Sequence, residues 1–356
     1  MKCVGFVITF GCLVYSVSLQ SAVAEENKPQ LEWHDAGSLL CGKGFAHSVH
    51  PYGRLDPADT NRLTAGVRWH GLDSAGQCLR FVTDSRKLGV RWQVMKSSMG
   101  DNMTRIAANG IDIYRRTANG WHFVGARSGA YGKTNLLEVA WNSGDEALVY
   151  LPLYNGAKDV QVGICVGANM TPCVERGKPI VFYGTSITQG GCASRPGMAY
   201  TAIIQRRLGI PVVNMGFSGS GNMEFEMAET LAKMDASAYV IDTMWNIGIN
   251  TVKKGTYERF LRRLRELRPD VPMLLVNDYH FGHHGTQTDK GTAMRALFAR
   301  LSLESAFAKG FALVDGADVY DLEGNGTVDG VHPDSYGMMR LADTICPRIS
   351  ELLSRQ

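Results

Sequence analysis

Two patterns of hydrophobic and polar residues follow one another along the chain. From about residue 31 to residue 170 apolar and polar residues alternate, as at Val160, Val162 and Ile164. Dipeptides typical of tight turns, such as Asn109-Gly110, separate these runs. Alternation indicates strands with one buried face, and no convincing helical stripe interrupts it. We therefore expect an antiparallel, jelly-roll-like β-sandwich in the first half.

The pattern changes after a connector with proline and glycine at about residues 171–178. A continuous apolar run then begins at Ile180, as is typical of a strand buried in a parallel sheet. Strand-like and helix-like segments alternate from there onward, which predicts a five-stranded parallel sheet with helices on both faces. The strand candidates are residues 180–183, 211–215, 238–243, 273–276 and 311–314, and the helix candidates are residues 198–208, 223–234, 257–267, 292–308 and 334–353.

The first 24 residues have the pattern of a secretory signal peptide. A short basic start precedes an almost entirely apolar run over residues 3–19, and small residues stand one and three positions before Glu25. A membrane anchor is the less favoured alternative, because the run is short for a bilayer span of about 20 residues. A lipid-modified Cys12 is another. We expect export to the periplasm or the extracellular space, with no membrane span after cleavage.

Composition fits an ordinary globular protein. Of the 356 residues 45% are hydrophobic and 20% charged, which excludes a disordered chain. The formal net charge of +3 becomes +2 once the single lysine of residues 1–24 is removed, so nothing selects nucleic acid or an anionic membrane as partner. At about 150 residues per domain the length suggests two domains, which the change of pattern assigns to residues 25–172 and 173–356.

The cysteines leave two alternatives open. Six remain after the predicted cleavage, without the paired spacing of a zinc site. An exported protein can form disulfides, and Cys165 and Cys173 are the closest pair in sequence, but buried free thiols are an equally good interpretation. The sequence indicates neither the pairing nor the oligomeric state.

Three polar segments follow the first three strands of the predicted parallel sheet, at the edge where ligands bind. Ser186 precedes a helix, so its hydroxyl is either a helix cap or a reactive group near a helix N-terminus. Gly219 and Asn246 each fit an ordinary turn, but a glycine loop and an asparagine amide can also bind a ligand or an oxyanion. Thr188 stands where G-x-S-x-G would have its second glycine, which argues against an α/β-hydrolase elbow.

A fourth segment, between the last strand and the last helix, is the most specific. Asp329 lies three residues before His332. A carboxylate at this spacing can fix the tautomer of an imidazole and leave its other nitrogen free to act as a base. The alternative is a solvated loop histidine, and the presence of Ser186 at the same sheet edge favours catalysis.

Together the four segments resemble the four blocks of the SGNH hydrolases, the GDSL-type esterases and lipases. The resemblance covers about residues 178–353 and implies a flavodoxin-like α/β domain that performs acyl transfer without a metal or other cofactor. Ser186 matches the nucleophile, and Gly219 and Asn246 match two further oxyanion-hole positions. Asp329 matches the acid and His332 the base. The backbone N–H of Ser186 is implied as the first oxyanion-hole donor.

A narrower resemblance extends into the first half of the chain. Residues 109–114, NGIDIY, resemble the G-x-D-L-Y motif of a β-rich domain that precedes the hydrolase in many bacterial members, and residues 151–155 and 190–197 also match that subgroup. Carbohydrate O-acetyl esterases share this two-part layout. The resemblance thus implies an esterase for small acyl esters, foremost acetyl groups on carbohydrates. The alternatives are an O-acyltransferase and an inactive carbohydrate-binding protein.

Two residues depart from the family pattern. Thr185 replaces the aspartate of G-D-S, and Ile247 replaces the aspartate of G-x-N-D. Neither change removes a proton-transfer group, but both bear on how the loops around the nucleophile are held.

Several further residues near the predicted site are weaker candidates. Arg195 and Trp245 are candidate substrate-binding residues, with a surface arginine and a packing tryptophan as the alternatives. His280 is a third candidate and belongs to a histidine cluster for which a polar loop is favoured over a metal site. Cys192 is interpreted as a buried or bridged thiol rather than a second nucleophile.

Overall fold

The structure, a computed structural model, describes residues 29–279, 288–316, 319 and 325–354. The predicted signal peptide and the histidine cluster that contains His280 lie outside the described residues.

Two antiparallel sheets form the first half of the chain. One has the strand order β1-β9-β4-β7, and the other the order β10-β3-β8-β5-β6 with β2 paired to β3. Buried residues of both sheets, such as Phe81 and Trp92, form one apolar cluster, so the predicted β-sandwich is confirmed. The strands are β1 (Leu31–Asp35), β2 (Leu40–Cys41), β3 (Cys78–Thr83), β4 (Lys87–Val94), β5 (Ile111–Thr117), β6 (Gly120–Arg127), β7 (Asn135–Ala140), β8 (Glu146–Tyr150), β9 (Ala157–Cys165) and β10 (Met170–Pro172).

Two short helices of this half carry no helical stripe in the sequence. They are α1 (Ala65–Gly71) and α2 (Arg105–Asn109), and each begins after a threonine, Thr64 or Thr104, whose hydroxyl caps the first turn. Because helices of seven and five residues contain at most two turns, periodicity could not reveal them.

The second half contains a five-stranded sheet in the order β12-β11-β13-β14-β15, with every pairing parallel. This is the flavodoxin-like order, so the predicted fold class is confirmed. Separate apolar clusters on the two faces bury the helices. The strands are β11 (Ile180–Gly184), β12 (Val212–Gly216), β13 (Ala238–Asp242), β14 (Met273–Val276) and β15 (Phe311–Val314), and the helices are α3 (Ser186–Gln189), α4 (Tyr200–Leu208), α5 (Phe225–Ala232), α6 (Ile249–Lys253), α7 (Thr256–Leu267), α8 (Asp289–Ser302) and α9 (Ser335–Ser354).

One helix differs clearly from its predicted bounds. Helix α8 ends at Ser302, whereas the sequence pattern extended to residue 308. The chain turns after Ser302 so that Phe307 is buried against Phe311, with the ring centroids 4.8 Å apart. A buried aromatic contact therefore ends the helix earlier than its apolar periodicity indicates.

An ion pair between the fully buried Asp112 and the partly exposed Arg195 joins the two halves. Both carboxylate oxygens of Asp112, the aspartate of the G-x-D-L-Y-like motif, accept from Gly197 N at 3.0 and 3.1 Å, and Arg195 Nε lies 3.1 Å from Oδ2. Burial raises the pKa of Asp112 to about 7, although Arg206 and Arg195 oppose the shift. Because the halves also share an apolar cluster, the division into domains at residues 172 and 173 stays a prediction.

The six cysteines beyond the predicted signal peptide are all free thiols, and Cys41, Cys78 and Cys192 are buried. Of the two alternatives, disulfides or free thiols, the structure therefore has free thiols. Within the described ranges, no helix is both long and apolar enough to cross a bilayer.

Removing the Asp112 carboxylate will test the contact between the halves. We expect Asp112→Ala to lower the free energy of unfolding by about 1–3 kcal/mol, because the buried Gly197 N–H and the partly exposed Arg195 lose their acceptor. Asp145→Ala is a matched control, since Asp145 pairs with Arg115 at 3.4 Å where both side chains are 30% exposed, and its loss should cost under about 1 kcal/mol. Denaturant titration measures both, and equal losses in the two variants would contradict the assignment.

Candidate active site

A hydrogen-bonded chain connects three of the predicted residues. Ser186 Oγ lies 3.0 Å from His332 Nε2, and His332 Nδ1 lies 2.8 Å from Asp329 Oδ2. Ser186 follows β11 directly, while Asp329 and His332 lie in the turn before α9, 146 positions away from serine to histidine. The fold thus brings a hydroxyl, an imidazole and a carboxylate to the carboxyl edge of the parallel sheet.

The turn that carries Ser186 is short and is held at both ends. Thr185 Oγ1 accepts from Ile187 N at 3.1 Å and so caps α3. Gly190 ends the helix with φ +107°, and its N–H donates to Ser186 O and Ile187 O. Thr185, at the position where the family has aspartate, therefore retains a side-chain oxygen that caps the helix.

Asp329 accepts four hydrogen bonds. Val331 N and His332 N donate to Oδ1 at 3.0 and 2.7 Å, and His332 Nδ1 and Asn102 Nδ2 approach Oδ2 at 2.8 and 2.7 Å. Burial alone would raise the pKa of Asp329, but these bonds hold it well below its usual range. The carboxylate therefore stays ionised at neutral pH and keeps the Nδ1 proton of His332, which leaves Nε2 facing Ser186.

Asn246 lies against the loop that carries Gly219. With the amide oriented by its hydrogen bonds, its oxygen accepts from Ser220 N and Gly221 N, each at 3.1 Å. The amide nitrogen then points away from those two donors and is available to an oxyanion. Gly219 has φ +64°, a left-handed conformation that favours glycine.

Further hydrogen bonds hold the Gly219 loop against the segment that carries Ser186. Phe217 N donates to Gly184 O at 3.0 Å, and Ser218 N donates to Gln189 Oε1 at 2.9 Å. The fully buried Gln189 in turn donates to Asp73 Oδ2 at 2.9 Å, a carboxylate from the β-rich half. Sequence reasoning missed both Gln189 and Asp73, because their contact joins segments 116 positions apart and has no local pattern.

Ile247, the second departure from the family pattern, is 6% exposed and packs in the apolar cluster beneath α5 and α7. Its carbonyl accepts from Lys290 Nζ at 3.4 Å, and Lys290 is also paired with Asp278 at 3.1 Å. The turn after Asn246 is thus held by apolar packing and by a lysine, where the family pattern has an aspartate.

Two of the candidate substrate-binding residues, Arg195 and Trp245, pack against other side chains. Arg195 is engaged in the contact between the halves, since it pairs with Asp112 and its guanidinium lies 4.1 Å from the centre of the Phe123 ring. Trp245 packs edge-on against Tyr279, with the ring centroids 6.1 Å apart. Substrate binding by either residue stays a prediction, as it does for His280, which lies outside the described residues.

Cys192 lies in the loop after helix α3 and has φ +71°. Burial raises the pKa of its thiol to about 12, with a further contribution from the charge of Asp329. A thiol with such a pKa is protonated at neutral pH, which makes it a poor nucleophile. In the described part of the chain, no three histidine, cysteine or acidic side chains are grouped as metal ligands would be.

Comparison with known families identifies both halves of the molecule. Residues 177–350 match the model of the GDSL-like Lipase/Acylhydrolase family, and residues 31–170 match the GxDLY model, described as the N-terminus of Esterase_SGNH_hydro-type. The chain belongs to the SGNH, or GDSL-type, hydrolase family. This GDSL-type hydrolase is accordingly a serine ester hydrolase.

Solved structures of similar proteins share both halves of the fold. A putative GDSL-like lipase from Bacteroides ovatus is 29% identical, with a TM-score of 0.82 over 92% of this chain and 99% of that one. A salicylyl-acyltransferase of a tetracycline biosynthetic pathway, SsfX3, is 16% identical, with a TM-score of 0.72 over 90% and 97%. A family two carbohydrate esterase from Cellvibrio japonicus is 12% identical, with a TM-score of 0.59 over 92% and 99%. No curated protein matches the chain.

The cap at Thr185 gives a testable prediction for this GDSL-type hydrolase. Thr185→Val keeps the shape of the side chain but removes the oxygen that binds Ile187 N, so we expect a loss of about 1 kcal/mol in the free energy of unfolding and a lower kcat on an aryl acetate. Thr185→Ser keeps the oxygen and should resemble the parent protein. Equal unfolding and kcat values for valine and serine would show that the cap has no effect.

Proposed function

We propose that this protein is an exported esterase that hydrolyses small acyl esters through Ser186, His332 and Asp329. The observation that carries the proposal is the continuous hydrogen-bonded chain from Ser186 Oγ through the His332 ring to Asp329, with separations of 3.0 and 2.8 Å. Family membership makes the reaction class that of a serine ester hydrolase, and this chain supplies its proton-transfer groups.

In the proposed reaction, His332 Nε2 takes the Ser186 proton as Oγ forms a bond to the ester carbonyl carbon. The resulting oxyanion accepts hydrogen bonds from the N–H groups of Ser186 and Gly219 and from the Asn246 amide. His332 then gives the proton to the leaving alcohol as the carbon–oxygen bond breaks. Water then attacks the acyl carbon and gives a proton to the same imidazole, which returns it to Ser186 Oγ as the bond between the acyl carbon and Oγ breaks and the carboxylic acid leaves. Asp329 stabilises the imidazolium that forms in each half of the reaction.

We propose an acetyl group on a carbohydrate as the natural substrate. The shared two-part architecture with the family two carbohydrate esterase from Cellvibrio japonicus supports this choice.

Export is supported by the signal-peptide pattern of residues 1–24, with mature domains at residues 25–172 and 173–356. A carbohydrate hydroxyl is also chemically able to replace water in the second step, and the likeness to SsfX3 favours acyl transfer as a second candidate.

Serine labelling tests the nucleophile. We expect a serine-directed phosphonate to label the purified protein and to abolish acetate release from an aryl acetate, whereas Ser186→Ala should show neither labelling nor turnover. Ser237→Ala is the matched control, because Ser237 precedes β13 at the opposite edge of the same sheet, and it should keep both properties. Unchanged labelling of the Ser186→Ala variant would leave Ser186 as a helix residue without a catalytic role.

Acetate transfer to an added sugar that outpaces acetate release to water would favour the transferase.

The oxyanion-hole assignment gives a separate prediction. Asn246→Ala should lower kcat by about 10²–10³-fold with a smaller effect on KM, since the lost donor acts mainly on charge that develops in the transition state. Steady-state kinetics on the same aryl acetate measure this change. A kcat within about twofold of the parent would exclude Asn246 from the hole.

A further inference from the structure

A side chain of the β-rich half, Asn102, contacts the carboxylate of Asp329. Asn102 lies in the turn between β4 and α2, and its Nδ2 is 2.7 Å from Asp329 Oδ2 and 3.4 Å from His332 Nδ1. Asp329 Oδ2 is also the oxygen that faces the imidazole. Asn102 therefore lies where the Asp329 carboxylate meets the His332 ring.

The Asn102 donor matters because the side chains of Asp329 and His332 are partly exposed to water. The side chain of Asp329 is 32% exposed and that of His332 is 24% exposed, so water competes for the lone pairs of the carboxylate. The backbone N–H groups of Val331 and His332 hold only Oδ1. On Oδ2 the amide of the exposed Asn102 donates at a position that water would otherwise occupy, and this bond restricts rotation of the carboxylate about its bond to Cβ.

A second set of contacts fixes Asn102 relative to the site. Two residues on, Thr104 Oγ1 donates to Ser194 O at 2.8 Å. Ser194 N donates to Ser335 Oγ at 3.1 Å, and the two serine hydroxyls lie 2.6 Å apart. Ser335 begins α9, three residues after His332. The chain segments around Asn102, Ser194 and His332 are thus joined in a closed ring of hydrogen bonds.

We propose that Asn102 is a positioning residue for catalysis, supplied by the β-rich half, which holds Asp329 so that His332 presents Nε2 to Ser186. The proposal rests on the proposed function, because it assigns Asn102 a role only through that acid–base pair. Asn102 acts on the orientation of the imidazole and does not touch the ester. Its loss therefore lowers the rate of acyl transfer and leaves ground-state binding of a small ester unchanged.

Two substitutions of Asn102 separate hydrogen bonding from packing. Asn102→Ala removes the donor and should lower kcat about tenfold on an aryl acetate, with KM changed by less than about twofold. Asn102→Asp has nearly the same shape but places a second carboxylate against Oδ2, so it should lower kcat further than alanine does. Asn119→Ala, at an exposed turn between β5 and β6, is the matched control and should keep the parent kcat.

The outcomes distinguish this inference from the proposed function. Thermal unfolding midpoints identify any variant that is destabilised, and kinetics are compared well below those midpoints. A kcat for Asn102→Asp within about twofold of the parent would overturn the positioning role, since a packing contact tolerates an isostere. If Ser186→Ala keeps its activity, the proposed function fails. If Ser186→Ala is inactive while both Asn102 variants are fully active, only the present inference fails.

Discussion

The hydrogen-bonded chain from Asn102 through Asp329 and His332 to Ser186 is the contact on which the rest of the site depends. Its four members come from three distant parts of the sequence. An imidazole can accept the proton of a serine hydroxyl only when Nε2 is unprotonated and aimed at Oγ, and here a carboxylate on Nδ1 ensures both. That carboxylate is partly exposed, so its own orientation needs fixed donors.

The contact between the two halves of the molecule supplies much of this support. Asp112 holds the loop after helix α3, Asp73 reaches the Gly219 loop through Gln189, and Asn102 reaches Asp329. Asp112, Asp73 and Gln189 are fully buried, and each is hydrogen-bonded across the contact. Since an unpaired buried polar group is costly, these bonds favour one arrangement of the two halves. The β-rich half thus helps to hold the loops at the sheet edge that carries Ser186.

Much of this architecture could be predicted from local pattern. The apolar run at Ile180 marks a buried parallel strand, and polar residues after such strands share one sheet edge, as Ser186 and Asn246 do after the neighbouring strands β11 and β13. Asn102 and Gln189 could not be found in this way. Their hydrogen bonds join segments far apart in sequence, and neither periodicity nor motif spacing encodes such contacts. The two short helices of the first half escaped for a related reason, because they span too few turns.

The decisive measurement is the structure of a phosphonate adduct. We expect phosphorus bonded to Ser186 Oγ, with one phosphonyl oxygen within hydrogen-bond distance of Ser186 N, Gly219 N and Asn246 Nδ2. His332 should still contact Asp329, with Asn102 on the same carboxylate oxygen. An adduct on another residue, or a phosphonyl oxygen directed away from these three donors, would contradict this expectation.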